Sequence, residues 1–148
     1  MECPPFDSLK FNVDEFYKGK PGHAGIGGVL RDSSTTIKLV FSKAIGMADS
    51  NVVELFAIRE ALSVYVASRW TSSRRLIIEC DSSNVVKWVT NPLCSFWIVR
   101  KIISHFEVFK AKLLRCEILH ILRNVNDIAD ALAKFRVTRQ IDLVVCYE

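Results

Sequence analysis

The chain has 148 residues, of which half are hydrophobic and 24% charged, enough apolar material for one domain with a proper core and too little length to suggest two. No apolar run approaches the roughly 18 to 20 residues that span a bilayer, and Met1 to Lys10 lacks the order of a signal peptide, so a soluble, intracellular protein without a membrane partner is expected. A net charge of +4 and a pI near 8.9 permit a polyanionic partner without requiring one. The five cysteines, Cys3, Cys80, Cys94, Cys116 and Cys146, form no ligand-spaced pair and read as buried, reduced thiols.

Leu9 to Phe16 reads as a strand, because Phe11 and Val13 alternate with Lys10, Asn12 and Asp14. A turn follows at Lys18 to Gly22. Ala24 to Arg31 and Ile37 to Ile45 read as two further strands of an antiparallel meander, separated by Asp32-Ser33-Ser34. From about Asn51 to Arg69 the period becomes helical, with Leu55, Ile58, Leu62, Tyr65 and Val66 on one side of an amphipathic helix. Arg75 to Cys80 is a short apolar strand, and Asp81-Ser82-Ser83-Asn84 carries N-cap chemistry for a helix through Val85, Val86 and Val89 that Pro92 stops.

A helix from about Phe96 to Leu114, a fifth strand from Cys116 to Leu122, and a last helix opened by Asn124 or Asn126 complete the order βββαβααβα. Strands in a run, then alternating with helices, imply an α/β fold with a mixed five-stranded sheet flanked by helices. A single domain over 1–148 is expected, with its core at about 8–137 and an uncertain tail at 138–148. Ile141 to Tyr147 is strand-like, with no evident partner.

Four carboxylates occupy suggestive places, each with an ordinary alternative. Glu54 lies along the edge of the helix's apolar face, where it serves either a site or a capping box with Asn51. Asp81 stands where a strand hands over to a helix, a place for ligands in α/β sheets and equally for an N-cap. Asp14 sits mid-strand, where Asp is disfavoured unless it faces solvent or a site. Asp130 falls off the stripe of Val125, Ile128, Leu132 and Ala133, as a solvated helix residue would. Their order is informative: a strand centre, a helix start, a strand end and a late helix.

That arrangement resembles the ribonuclease H family, type 1, and the local sequences are similar to its plant branch, whose members are often retroelement-derived. The matching pieces are KFNVD at Asp14, GHAGIGGVLRD from Gly22 to Asp32, NVVELFAIREAL at Glu54, IIECDSSNVV at Asp81 and HILRNVNDIADALAK from His120 to Lys134. Together they cover roughly Leu9 to Arg136.

The resemblance implies that Asp14, Glu54, Asp81 and Asp130 bind metal, that His120 is a mobile catalytic histidine, and that Asn51 contacts the substrate. Glu15 and Ser82, beside two of the carboxylates, join Asn51 as candidate substrate contacts. It further implies cleavage of the RNA strand of RNA–DNA hybrids by a monomer, with two Mg²⁺ ions, or Mn²⁺ as substitute, about 3.5 to 4 Å apart. Metal-free carboxylates so placed should repel one another and have raised, coupled pKa values.

Two departures stand out. The family follows its first Asp with Gly and Ser, whereas this chain has Glu15 and Phe16. Strand alternation should turn Glu15 to the side opposite Asp14, sparing the metal site, yet its bulk and charge should hinder a phosphate. A silent relic that binds nucleic acid or protein is therefore the alternative outcome. The short link Asn91 to Ser95 also lacks room for a basic handle, leaving hybrid contact to groups such as Lys18, Lys20, Arg74, Arg75, Lys101, Lys110 and Lys112. Gly22, Gly25, Gly27 and Gly28 fit no nucleotide loop and suggest strand packing, while Trp70, Trp88 and Trp97 suggest core rather than base stacking.

Overall fold

The computed structural model describes residues 8–18, 23–47, 50–71, 74–90, 97–113, 115–121 and 143–146. Within them lie β1 (Ser8–Lys18), β2 (His23–Arg31), β3 (Ile37–Met47), α1 (Ser50–Val66), β4 (Arg75–Cys80), α2 (Ser83–Thr90), α3 (Trp97–Lys110), β5 (Cys116–His120) and β6 (Leu143–Cys146). The strands form one mixed sheet in the order β5-β4-β1-β2-β3-β6. β1, β2 and β3 are the expected meander, and β4 and β5 add in parallel on the other side of β1.

The sheet has six strands where five were expected. The unpaired tail finds its partner in β3, with Val145 against Val40 in antiparallel register. Pairing between segments some hundred residues apart leaves no periodic trace in either one.

Strand alternation supplies the core. Leu9, Phe11 and Val13 are buried on one side of β1, and the Phe11 ring meets Phe41 of β3 edge-on at 5.6 Å between centroids. Gly28 lies beneath this pair. A Cβ there would come within 2.9 Å of the Phe11 ring and closer still to Phe41, so packing rather than ligand binding explains this glycine.

The expected apolar face of α1 is buried, at Leu55, Ile58, Leu62 and Tyr65, but the opposite face is not exposed. No residue from 52 to 66 is exposed, because the helix lies against β1 and β2 on one side and α3 on another. It also stops at Val66 rather than running to Arg69. The Thr71 hydroxyl donates to the carbonyls of Tyr65 and Val66, both at 2.8 Å, occupying helix-end acceptors that would otherwise want continued helix.

Trp70 is buried and Trp88 packs against the core, as expected for structural aromatics. The thiols divide differently from expectation. Cys80 is buried, Cys116 half-buried and Cys146 exposed on the edge strand, all three unbridged. Cys3, Cys94, the side chain of Trp97 and the expected helix after Asn124 lie outside the described residues.

Candidate metal and nucleic-acid site

The register of the parallel β1–β4 pair sets the site. Asn12 is level with Glu79, and two residues further along the same strands stand Asp14 and Asp81, the latter just past the end of β4. Strand ends beside a helix start are where α/β sheets hold ligands. The Asp14 carboxylate is buried at 3% exposure, and its Oδ1 accepts the backbone N–H of Glu15 at 2.9 Å. This local bond folds the acid back along its own strand.

Ser82 caps α2, its hydroxyl accepting the N–H of Val85 at 3.3 Å. Ser82, expected to touch substrate, thus has a structural task. α1 is already under way at Ser50, which puts Asn51 within the first turn rather than at its cap. The side chain of Asn51 lies outside the described residues, as does Asp130. Glu54 is half-buried one turn into α1.

Glu15 overturns its expected orientation. Alternation alone should have carried it away from Asp14, yet one carboxyl oxygen from each of Asp14, Glu15 and Asp81 lies within 4.8 Å of the others. The length of the Glu side chain and the folded-back Asp14 together defeat the alternation. Glu15 is only 7% exposed. Burial pushes its carboxyl up to about 11, with the adjoining Glu54 and then Asp14 adding to the rise. The raised, coupled titration expected of packed carboxylates is thus present at a residue not counted among the four.

Cys80, at the end of β4, is also pushed up to about 12 by burial, while Glu54, Asp81 and Glu15 contribute further. His120 is exposed at the end of β5, level with Cys80 and so one residue short of Asp81. Two residues before the carboxylates, the same strands hold a different cluster. Glu79 accepts a hydrogen bond from the Asn12 amide at 3.0 Å and pairs with Lys10 at 3.4 Å.

The proposed basic contacts lie on several elements. Lys101 and Lys112 are exposed, Lys110 pairs with Glu107 at 3.7 Å, and Arg74 lines a pocket of ≈ 540 Å³ with Arg69, Lys38 and Trp70. That pocket includes Leu9, at the far end of β1 from Asp14. Lys20 lies outside the described residues, and the Lys18 side chain with it.

The fold has counterparts among known proteins. The family described as reverse transcriptase-like matches residues 12–136. This chain belongs to that family, within the ribonuclease H group. An Arabidopsis thaliana protein named for ribonuclease H is 30% identical over 128 residues, which is 86% of this chain and 20% of that protein. The chain therefore spans about a fifth of its curated relative.

Ribonuclease H1 of the halophilic archaeon Halobacterium salinarum superposes with a TM-score of 0.80 at 24% identity, covering 88% of this chain and 97% of that one. LC11 ribonuclease H1, isolated from compost by a metagenomic approach and solved with an RNA/DNA hybrid, gives 0.79 at 22% identity, covering 88% and 96%. At such identities these likenesses establish the fold.

Proposed function

We propose that this chain is a metal-dependent endoribonuclease that hydrolyses the RNA strand of RNA–DNA hybrids, leaving 5′-phosphate and 3′-hydroxyl ends. The observation that carries the reading is the meeting of Asp14 and Asp81 carboxyls at the ends of two adjacent parallel strands, with Glu54 one residue neighbourhood away through Glu15. The donors are all hard oxygens, the set that suits Mg²⁺ or Mn²⁺. The buried Glu15 Oε2 meets no hydrogen-bond donor among the described residues, as expected where a cation is the intended partner.

Asp14, Glu54 and Asp81 would hold the metal, joined by Asp130 from the late helix on the resemblance. Bound Mg²⁺ would neutralise charge on the scissile phosphate and favour ionisation of an attacking water. Asp14 is kept in place by the Glu15 N–H, so its carboxylate is oriented before any ligand arrives. His120, exposed at the end of β5, would act as the mobile histidine of the resemblance, assisting product release or proton transfer. An RNA strand would be distinguished by its 2′-hydroxyls, a contact for Asn51, and binding should be sensitive to salt. The solved hybrid complex of LC11 ribonuclease H1 supports this choice of substrate.

One observation favours a second reading, a catalytically silent module that binds nucleic acid on the same scaffold. Glu15 adds its carboxyl to the place a phosphate would approach. Cleavage of a labelled RNA–DNA hybrid with Mg²⁺ and with Mn²⁺, beside Asp81→Asn, separates the two. The enzyme reading expects cleavage that falls by on the order of 10³-fold in the variant, the scale of several kcal/mol of transition-state stabilisation. Folded wild-type protein that binds hybrid but cleaves it with neither ion would leave the silent module.

A further inference from the structure

Glu15 occupies a position in the cluster that a bystander would not. It is more than nine-tenths buried, and its buried Oε2 has no hydrogen-bond partner among the described residues. The three side chains whose oxygens all lie within 4.8 Å of one another are Asp14, Glu15 and Asp81. Glu54 adjoins Glu15 but does not belong to that mutual set. Around one octahedral Mg²⁺ at about 2.0 to 2.1 Å, neighbouring oxygens stand about 2.9 Å apart and opposite ones about 4.2 Å, so the triad would draw together around an ion.

Local geometry explains how neighbours on one strand come to share a ligand. The Asp14 Oδ1 is held by the Glu15 N–H, and the longer Glu15 side chain brings a carboxyl oxygen within 4.8 Å of those of Asp14 and Asp81. Two buried carboxyls and a half-buried third without a cation are costly, and each remedy other than protonation brings positive charge into their midst. A glutamate turned in, rather than out to solvent, is hard to reconcile with a role limited to repulsion.

We infer that Glu15 is itself a ligand of the divalent cation, completing an Asp14–Glu15–Asp81 oxygen triad, with Glu54 behind it as a positioning carboxyl. The inference rests on the metal-dependent reading for the presence of a cation and changes which residues hold it. Three carboxylates on one ion hold it tightly while leaving little residual positive charge for a phosphate. Tight metal binding and slow cleavage are therefore expected together.

The test is Mn²⁺ affinity of the full chain, first stripped with EDTA, measured calorimetrically and by the electron spin resonance of free Mn²⁺. Glu15→Gln should weaken binding on the order of 100-fold, and Glu54→Gln on the order of 10-fold, the scale for an outer partner of a ligand. Circular dichroism checks that each variant is folded. In wild-type protein, substoichiometric Mn²⁺ should also broaden the Glu15 carboxyl ¹³C resonance at least as strongly as that of Asp81, a readout that does not depend on any variant folding.

Unchanged or tighter binding by Glu15→Gln, a larger loss in Glu54→Gln, or a sharp Glu15 resonance beside a broadened Asp81 would overturn the inference. Wild-type protein that binds no Mn²⁺ would overturn it together with the metal-dependent enzyme. Mn²⁺ bound through Glu15 without hybrid cleavage would sustain the ligand and reject the enzyme. Cleavage with binding indifferent to Glu15 would do the reverse.

Discussion

Strands β1 and β4 carry two buried polar clusters, two residues apart, that solve the burial of a carboxyl in different ways. At the Asn12–Glu79 level the acid is surrounded by an amide and a lysine, with 3.0 Å and 3.4 Å contacts. At Asp14 and Asp81 the acid meets other acids, and Glu15 responds by holding its proton to about 11. In the first cluster the acid is paired within the protein, which marks a structural role. The second has no such partner among its three acids, and on the proposed reading a cation would supply it.

The largest effect should come from unbalancing the first cluster. Lys10→Met leaves Glu79 buried without its cation, and urea unfolding should show a loss of about 3 to 5 kcal/mol. A loss below about 1 kcal/mol would mean that Lys10 does not balance Glu79. The second cluster should respond oppositely, to addition. Mn²⁺ at about 100 times its dissociation constant should raise the unfolding free energy by about 2.7 kcal/mol in wild type and far less in Asp81→Asn. Equal gains in both proteins would place the ion elsewhere.

A smaller effect concerns the acid itself. Glu15 has its folded-state value at about 11 against an ordinary 4.5, so folded protein keeps a proton that unfolded chain releases throughout that interval. The unfolding free energy of metal-free protein should then fall as pH rises above about 4.5, and continue to fall toward the folded-state value. Glu15→Gln should flatten this slope and add about 1 to 3 kcal/mol at pH 8, the range for relieving an uncompensated buried polar group. A slope unchanged by the substitution would assign it to other groups. The smallest effect checks the division of labour at the end of β4. Ser82→Ala should cost about 1 kcal/mol through loss of the α2 cap, without changing Mn²⁺ affinity.

Much of this was legible in the order of residues. Alternation along Leu9 to Val13, the turn residues from Asp32, and the apolar segments of α1 and β4 are local signals, and the elements they announce are present. Asp14, Glu54 and Asp81 could be singled out because each is an acid in a place that local structure does not favour. The resemblance to ribonuclease H, resting on five short matches, gave the family.

Distances between remote segments were not legible. β6 is invisible until β3 is there to pair with it, and α1 reads as one-sided because sequence does not show the helix α3 lying over it. Ser82 and Asp81 are equal candidates for a cap until the Val85 N–H is seen to meet Ser82. Glu15 is the sharpest case: a strand's period of two assigns its Cβ a side, but the carboxyl sits several bonds further out, where Asp14, Glu54 and Asp81 determine its surroundings. Sequence by itself determined which acids this chain carries and on which elements. Only tertiary structure decided which of them meet, because that depends on register between strands and on the reach of side chains, neither of which is encoded within any one segment.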